Sequence, residues 1–164
     1  MAPFLAKVSS GYEGDYGEVA QSFDQAFRDA RVHEAALQAI VVMGSRRWVE
    51  SALVQQAVLY EAIDDGLRRS SPRMPSRYAN IDDDSREAIR KGWLHLRDEW
   101  STYCGHTATH LAFRALEIAR ETHVDCSTSD AQRILRFYLA IRGREFVLAG
   151  EVSRAGAAML LDPM

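Results

Sequence analysis

Cysteine is nearly absent from this chain. Cys104 and Cys126 are the only two, and they lack the CxxC spacing of a thiolate zinc framework, so reduced thiols are the expectation. Proline is equally sparse, with four in the chain. Pro3 and Pro163 lie at the ends and Pro72 and Pro75 share one short segment, so proline interrupts no other segment. Alternating polar and apolar runs of strand length are essentially lacking, which removes most α/β enzyme classes. There is no GxxxxGK[ST] phosphate loop, no GxGxxG, no HExxH and no GxSxG. No apolar run reaches the length of a bilayer span, and the first residues, MAPFLAKVSSGY, contain no uninterrupted apolar core of a secretory signal. No membrane partner is expected, and a cytoplasmic address follows by default.

What is present points to helices. The chain of 164 residues is 47% hydrophobic and 26% charged, with a net charge of −3. That is the composition of one globular domain with a sizeable core. The acidic balance argues against a protein wrapped in nucleic acid and leaves room for a local basic patch.

Punctuation divides the chain into four long helical stretches. Residues 1–14 carry Pro3, Gly11 and Gly14 without helical period and read as a flexible or extended lead-in; residues 15–164 read as a single helical domain. The first helix starts at Asp15, three before Glu18 in capping-box spacing. Val19, Phe23, Phe27 and Ala30 form its apolar stripe, with Glu34 on or beside that face. Gly44 marks its end. Ser45 can cap the second helix, whose expected buried face is Val49, Leu53, Tyr60, Ile63 and Leu67, with Gln56 breaking the stripe. Ser70–Ile81 is irregular. Asp84 with Glu87 is the expected cap of a third helix of about 40 residues, in which Ile89, Trp93, Leu96, Trp100 and Tyr103 recur at spacings of four and three. Gly105 is the one place where this helix is weak. Ser129 with Gln132 opens a fourth, carrying Ile134, Phe137, Tyr138 and Ile141, and its arginines, Arg133 and Arg136 among them, read as a solvated strip. The AAMLL tail offers a short extra C-terminal helix. The fold expectation is therefore all-α, a bundle of four main helices.

Three constellations carry chemistry. His106 and His110 are four apart, so both imidazoles can reach one first-row transition metal; Glu117, two turns on, can contribute only through a second ion or a neighbouring helix. The pair lacks the glutamate that follows the first histidine in HExxH. Arg68, Arg69, Arg73, Arg77 and Tyr78 make the irregular segment basic and aromatic, suited to an acidic partner, a phosphate or single-stranded nucleic acid. Glu34, Glu50 and Glu61 invite comparison with a di-iron bundle, but no Glu-x-x-His occurs.

The reading with most support is a non-enzymatic helical interaction protein, such as an adaptor, assembly subunit, inhibitor or regulator, without a cofactor. It acts through protein surfaces with a protein partner and forms a homo-oligomer, most simply a dimer. A metal- or cofactor-binding bundle using His106 and His110 is the first alternative. A nucleic-acid-associated protein using the Arg68–Tyr78 loop is the second.

Overall fold

The computed structural model describes residues 1–44, 46–122 and 128–148. Among them lie five α-helices: α1 (Ala2–Ser9), α2 (Tyr16–Met43), α3 (Arg46–Arg69), α4 (Asp83–Thr122) and α5 (Thr128–Leu148). A 3-10 turn, Ser76–Tyr78, interrupts the segment between α3 and α4. The described residues contain no strand, only an isolated parallel bridge between Asp15 and Arg73. The all-α expectation holds, and the four main helices fall in the expected stretches, although α5 begins at Thr128 and so includes Ser129, the expected opening residue. The lead-in is corrected: residues 2–9 are helical, and Val8 is buried. Ser45, Cys126 and the AAMLL tail lie outside the described residues.

The helix ends follow from their side chains. At the start of α2, Asp15 Oδ1 accepts from the backbone N–H groups of Gly17 (2.8 Å) and Glu18 (3.0 Å), and Glu18 Oε2 accepts from Asp15 N–H (2.8 Å). That is a closed capping box. Gly44 ends α2 in the left-handed region at φ +74, where a side chain is disfavoured. The cap of α4 sits two residues before the expected Asp84. Asp82 accepts from Ser85 N–H (2.8 Å) and Ser85 Oγ–H (2.7 Å). These bonds hold the Asp82 carboxyl below the ordinary aspartate range. Glu87, expected to complete the cap, pairs instead with Arg90 at 2.7 Å.

Packing divides the chain into two compact units: Met1–Val32 with Ala62–Cys104, and His33–Glu61 with the described residues from Gly105 on. In the first unit Val8, Val19, Phe23, Ala26, Ala30, Ile63, Leu67, Trp93 and Cys104 are buried. Trp93 stacks on Tyr16 at 5.8 Å, and Trp100 lies edge-on to Phe27 at 5.7 Å. In the second unit the core is Val54, Ala57, Leu59, Tyr60, Ala108, Ala112, Ala115, Leu116, Ile134, Leu135 and Tyr138.

Two faces depart from the periodicity reading. Along α4 the buried residues after Trp93 are small: Ser101, Cys104, Ala108, Ala112, Ala115 and Ala119, with Leu116 the one large exception. Trp100 is half-buried and Tyr103 is exposed. Along α3, only Gln55, Val58 and Asp65 escape burial between Ala52 and Leu67. A helix buried almost all round is an interior helix, not one with a single apolar stripe.

Close approach explains two glycines. A Cβ on Gly66 would stand 2.2 Å from the Val8 carbonyl oxygen, so α1 packs directly on the α3 backbone. A Cβ on Gly105 would meet the Tyr138 ring at 3.0 Å. Helix α4 runs unbroken through Gly105, and the glycine leaves room for the Tyr138 ring.

Gly66→Ala is expected to cost about 1–3 kcal/mol, because neither backbone can yield without moving a helix. Gly92 is the control, a position in α4 with nothing within 4 Å of an added Cβ. Gly92→Ala is expected to stabilise by up to about 1 kcal/mol through helix propensity alone. Urea denaturation of the two variants reads both signs.

Candidate functional site

The polar residues inside the two units are the first place to look for chemistry. In the first unit Asp64 is fully buried. Its Oδ1 accepts from the Ser101 hydroxyl, and its Oδ2 accepts from Arg68 Nε (3.1 Å) and Nη2 (2.9 Å). A buried carboxylate is tolerable only when paired and hydrogen-bonded, and Asp64 has both. Ser101 thus has its proton directed at a carboxylate already engaged by arginine, in a position 6% exposed. It lacks the open approach that a nucleophile needs. Cys104 is buried nearby, and burial first, then the charge of Asp64, pushes its thiol well above the ordinary cysteine value.

In the second unit Tyr60 donates its hydroxyl proton to Glu34 Oε2 at 3.0 Å. Glu34 is half-buried, so the carboxylate beside the apolar face of α2 is held by a neighbouring helix. Glu61 is gripped by both terminal nitrogens of Arg133, with Nη2 at 2.7 Å from Oε2. Arg133 also stands 3.5 Å from Asp130. The arginine strip of α5 is therefore corrected at this position: Arg133 closes a bidentate pair with a carboxylate of the interior helix. Glu50 and Gln56 are buried as well. Among the described residues the Gln56 amide nitrogen has no hydrogen-bond partner. The hydroxyl of buried Thr109 donates back to the Gly105 carbonyl at 2.7 Å, which satisfies it within α4.

The metal candidates are placed as follows. His106 is half-buried and His110 exposed, one turn apart on α4, and Glu117 stands 3.9 Å from Arg114. Among the described residues no three His, Cys, Asp or Glu side chains converge as a metal-binding group. The two histidines stand one turn apart on one helix, and among the described residues no third ligand converges with them. The three carboxylates compared with a di-iron set are likewise dispersed: Glu34 goes to Tyr60 and Glu61 to Arg133.

The basic candidates all lie in the first unit. Arg68 is engaged by Asp64, and Arg69 stands 4.0 Å from Asp65. Arg73 and Arg77 are exposed, and the Arg77 guanidinium lies over the Tyr78 ring, 4.9 Å from its centroid.

A feature that sequence reasoning missed lies in the second unit, where α2 meets α3. Val42, Met43 and Trp48 are 77%, 80% and 61% exposed. Three large apolar side chains stand exposed within seven positions where α2 gives way to α3, whereas singly exposed apolar residues are ordinary. The readable signal was the apolar run Ile40–Met43 against the stop at Gly44, followed by Trp48.

No helix among the described residues is long and apolar enough to cross a membrane. No family model, no curated protein and no solved structure matches this chain.

Asp64→Ala is expected to cost about 3–5 kcal/mol in urea denaturation, since it strands Arg68 and Ser101. Gln56→Met removes a buried amide with an unmet donor and is expected to be neutral or stabilising. Cys104 is expected to resist Ellman's reagent in native Cys126→Ser protein and to react at once in denaturant, because the thiolate is the attacking species. Equal rates in both states would mean that Cys104 is accessible.

Proposed function

We propose that the chain is a helical interaction protein that works through its surface, docking by the apolar corner of Val42, Met43 and Trp48. The observation that carries this reading is the exposure of those three side chains. The interior supports it: Asp64, Glu61 and Glu34 are engaged by Ser101, Arg68, Arg133 and Tyr60. Those groups are engaged in holding helices together.

The simplest occupant of the corner is a second copy of the chain, brought to the same patch by a two-fold axis. Magnitudes decide what sort of dimer this is. A two-fold contact buries these side chains on both copies, at up to about 1.5–3 kcal/mol for each side chain fully buried, or about 9–18 kcal/mol for the six. Association costs an estimated 4–15 kcal/mol in lost rigid-body freedom. The ranges overlap, so only a modest surplus remains and the dimer depends on protein concentration.

Light scattering coupled to size-exclusion chromatography tests this over a dilution series. The expected mass rises towards that of two chains with concentration, and Trp48→Glu with Met43→Glu abolishes the rise without changing the melting temperature. A monomer mass at all concentrations up to hundreds of micromolar overturns self-association through this corner.

A further inference from the structure

We propose that the loop from Arg68 to Tyr78 binds single-stranded nucleic acid, with Arg69 and Arg73 on its phosphates and Arg77 presenting a flat cation to a base. Four observations in the first unit carry this. The stretch Gly66–Ile81 contains four arginines and no aspartate or glutamate, in a chain of net charge −3. Its charge is opposite to that of the whole molecule, which is the footprint of an anionic ligand.

The loop is also fixed before any ligand arrives. Tyr12 N–H donates to Ser70 Oγ at 2.9 Å. Arg73 N–H donates to the Gly14 carbonyl at 2.9 Å, and the Arg73 carbonyl accepts from Tyr16 N–H at 3.1 Å. Arg86 Nη2 donates to the carbonyls of Ala79 (3.4 Å) and Ile81 (3.3 Å). A loop pinned at its start, middle and end loses little conformational entropy on binding.

The cations are unequal in a way that selects the ligand. Arg68 is committed to Asp64, and Arg69 reaches Asp65 only at 4.0 Å. Neither Arg73 nor Arg77 has a carboxylate within ion-pairing distance among the described residues. Both are exposed. Their backbone ties do not involve the guanidinium groups, so the loop keeps its shape whether or not these charges are neutralised.

The fourth observation separates nucleic acid from an acidic peptide. Arg77 lies 4.9 Å over the Tyr78 ring, which holds the guanidinium as a plane backed by an aromatic surface. Unpaired bases stack on such planes, and a carboxylate chain has nothing to stack. A duplex fits less well, because its bases are already stacked. The footprint is short, since Asp82, Asp83 and Asp84 are exposed at the exit of the loop. Two or three phosphates are the expected reach.

Fluorescence anisotropy with a labelled single strand of about 20 nucleotides tests the proposal; with two or three phosphates contacted, affinity is expected to fall roughly 30- to 100-fold between about 20 mM and about 200 mM salt. Arg73→Gln with Arg77→Gln is expected to lose at least about tenfold in affinity at unchanged melting temperature. Arg28→Gln with Arg114→Gln, which removes the same charge elsewhere, is expected to leave binding as it was. An abasic strand of equal length is expected to bind more weakly than the normal strand. Absence of binding at the lower salt, or equal loss in both double variants, overturns the proposal. Equal affinity for the abasic strand and for polyglutamate overturns the nucleic-acid assignment and leaves a general polyanion surface.

Discussion

The structure depends on one costly arrangement: α3 is buried on almost every side and still carries charge. Glu50, Glu61 and Asp64 all lie in the interior. A carboxylate taken out of water is expensive unless paired and hydrogen-bonded. For Asp64 and Glu61 the partners come in part from other helices, which sets those helices in register. Ser101 of α4 and Arg68 of α3 meet Asp64 in the first unit, and Arg133 of α5 meets Glu61 in the second. Such contacts add little net stability against an apolar replacement. They penalise misregister, because sliding α4 or α5 by one residue strands a buried charge.

The same constraint explains what the sequence showed and what it hid. Helix ends were legible because capping is local: the Asp15–Glu18 box and the Gly44 stop are both realised. The start of α4 was missed by two residues because three aspartates in a row can each cap. The Ser85 hydroxyl, which bonds only Asp82, decides between them. The buried faces were less legible. Periodicity of large apolar residues marked Trp93 correctly but also marked Tyr103, which is exposed. The real inner face of α4 runs through Cys104, Ala108, Ala112, Ala115 and Ala119. Small residues let helix backbones approach closely, yet they carry little weight in a hydrophobic pattern. Helix α1 is too short to show a period, and its place is set by Val8 against Gly66, a contact between distant parts of the chain.

The candidate sites were legible as composition and not as geometry. The cationic content of the 68–78 stretch was plain, but its fixation by Gly14 and Tyr16 is a long-range backbone match with no local signature. The histidine pair was equally plain, and a third ligand would have to come from another element, which spacing cannot supply. Arg133 read as a surface charge because nothing local identifies its partner, 72 positions away in the chain. The one usable hint was indirect. Glu61 sits between Tyr60 and Ala62 in a helix rich in apolar residues, and a carboxylate there requires a cation from elsewhere.

Two sets of side chains remain that the fold itself does not account for. An apolar group stabilises a fold by leaving water, and Val42, Met43 and Trp48 mostly stay in it. A polar residue at any of the three would serve this chain's stability about as well. An exposed arginine contributes to a fold mainly through an ion pair, and Arg73 and Arg77 make none with the described carboxylates. Other arginines of the same chain do find a carboxylate, as Arg86 with Asp83 and Arg90 with Glu87 at 2.7 Å show. The contrast is physical: one corner retains apolar area without burying it, and one loop retains charge without neutralising it. The proposed second copy at the first and the proposed single strand at the second would each supply what the isolated chain leaves undone. The two contacts also respond oppositely to salt, because screening weakens the ionic one and leaves burial of apolar surface intact.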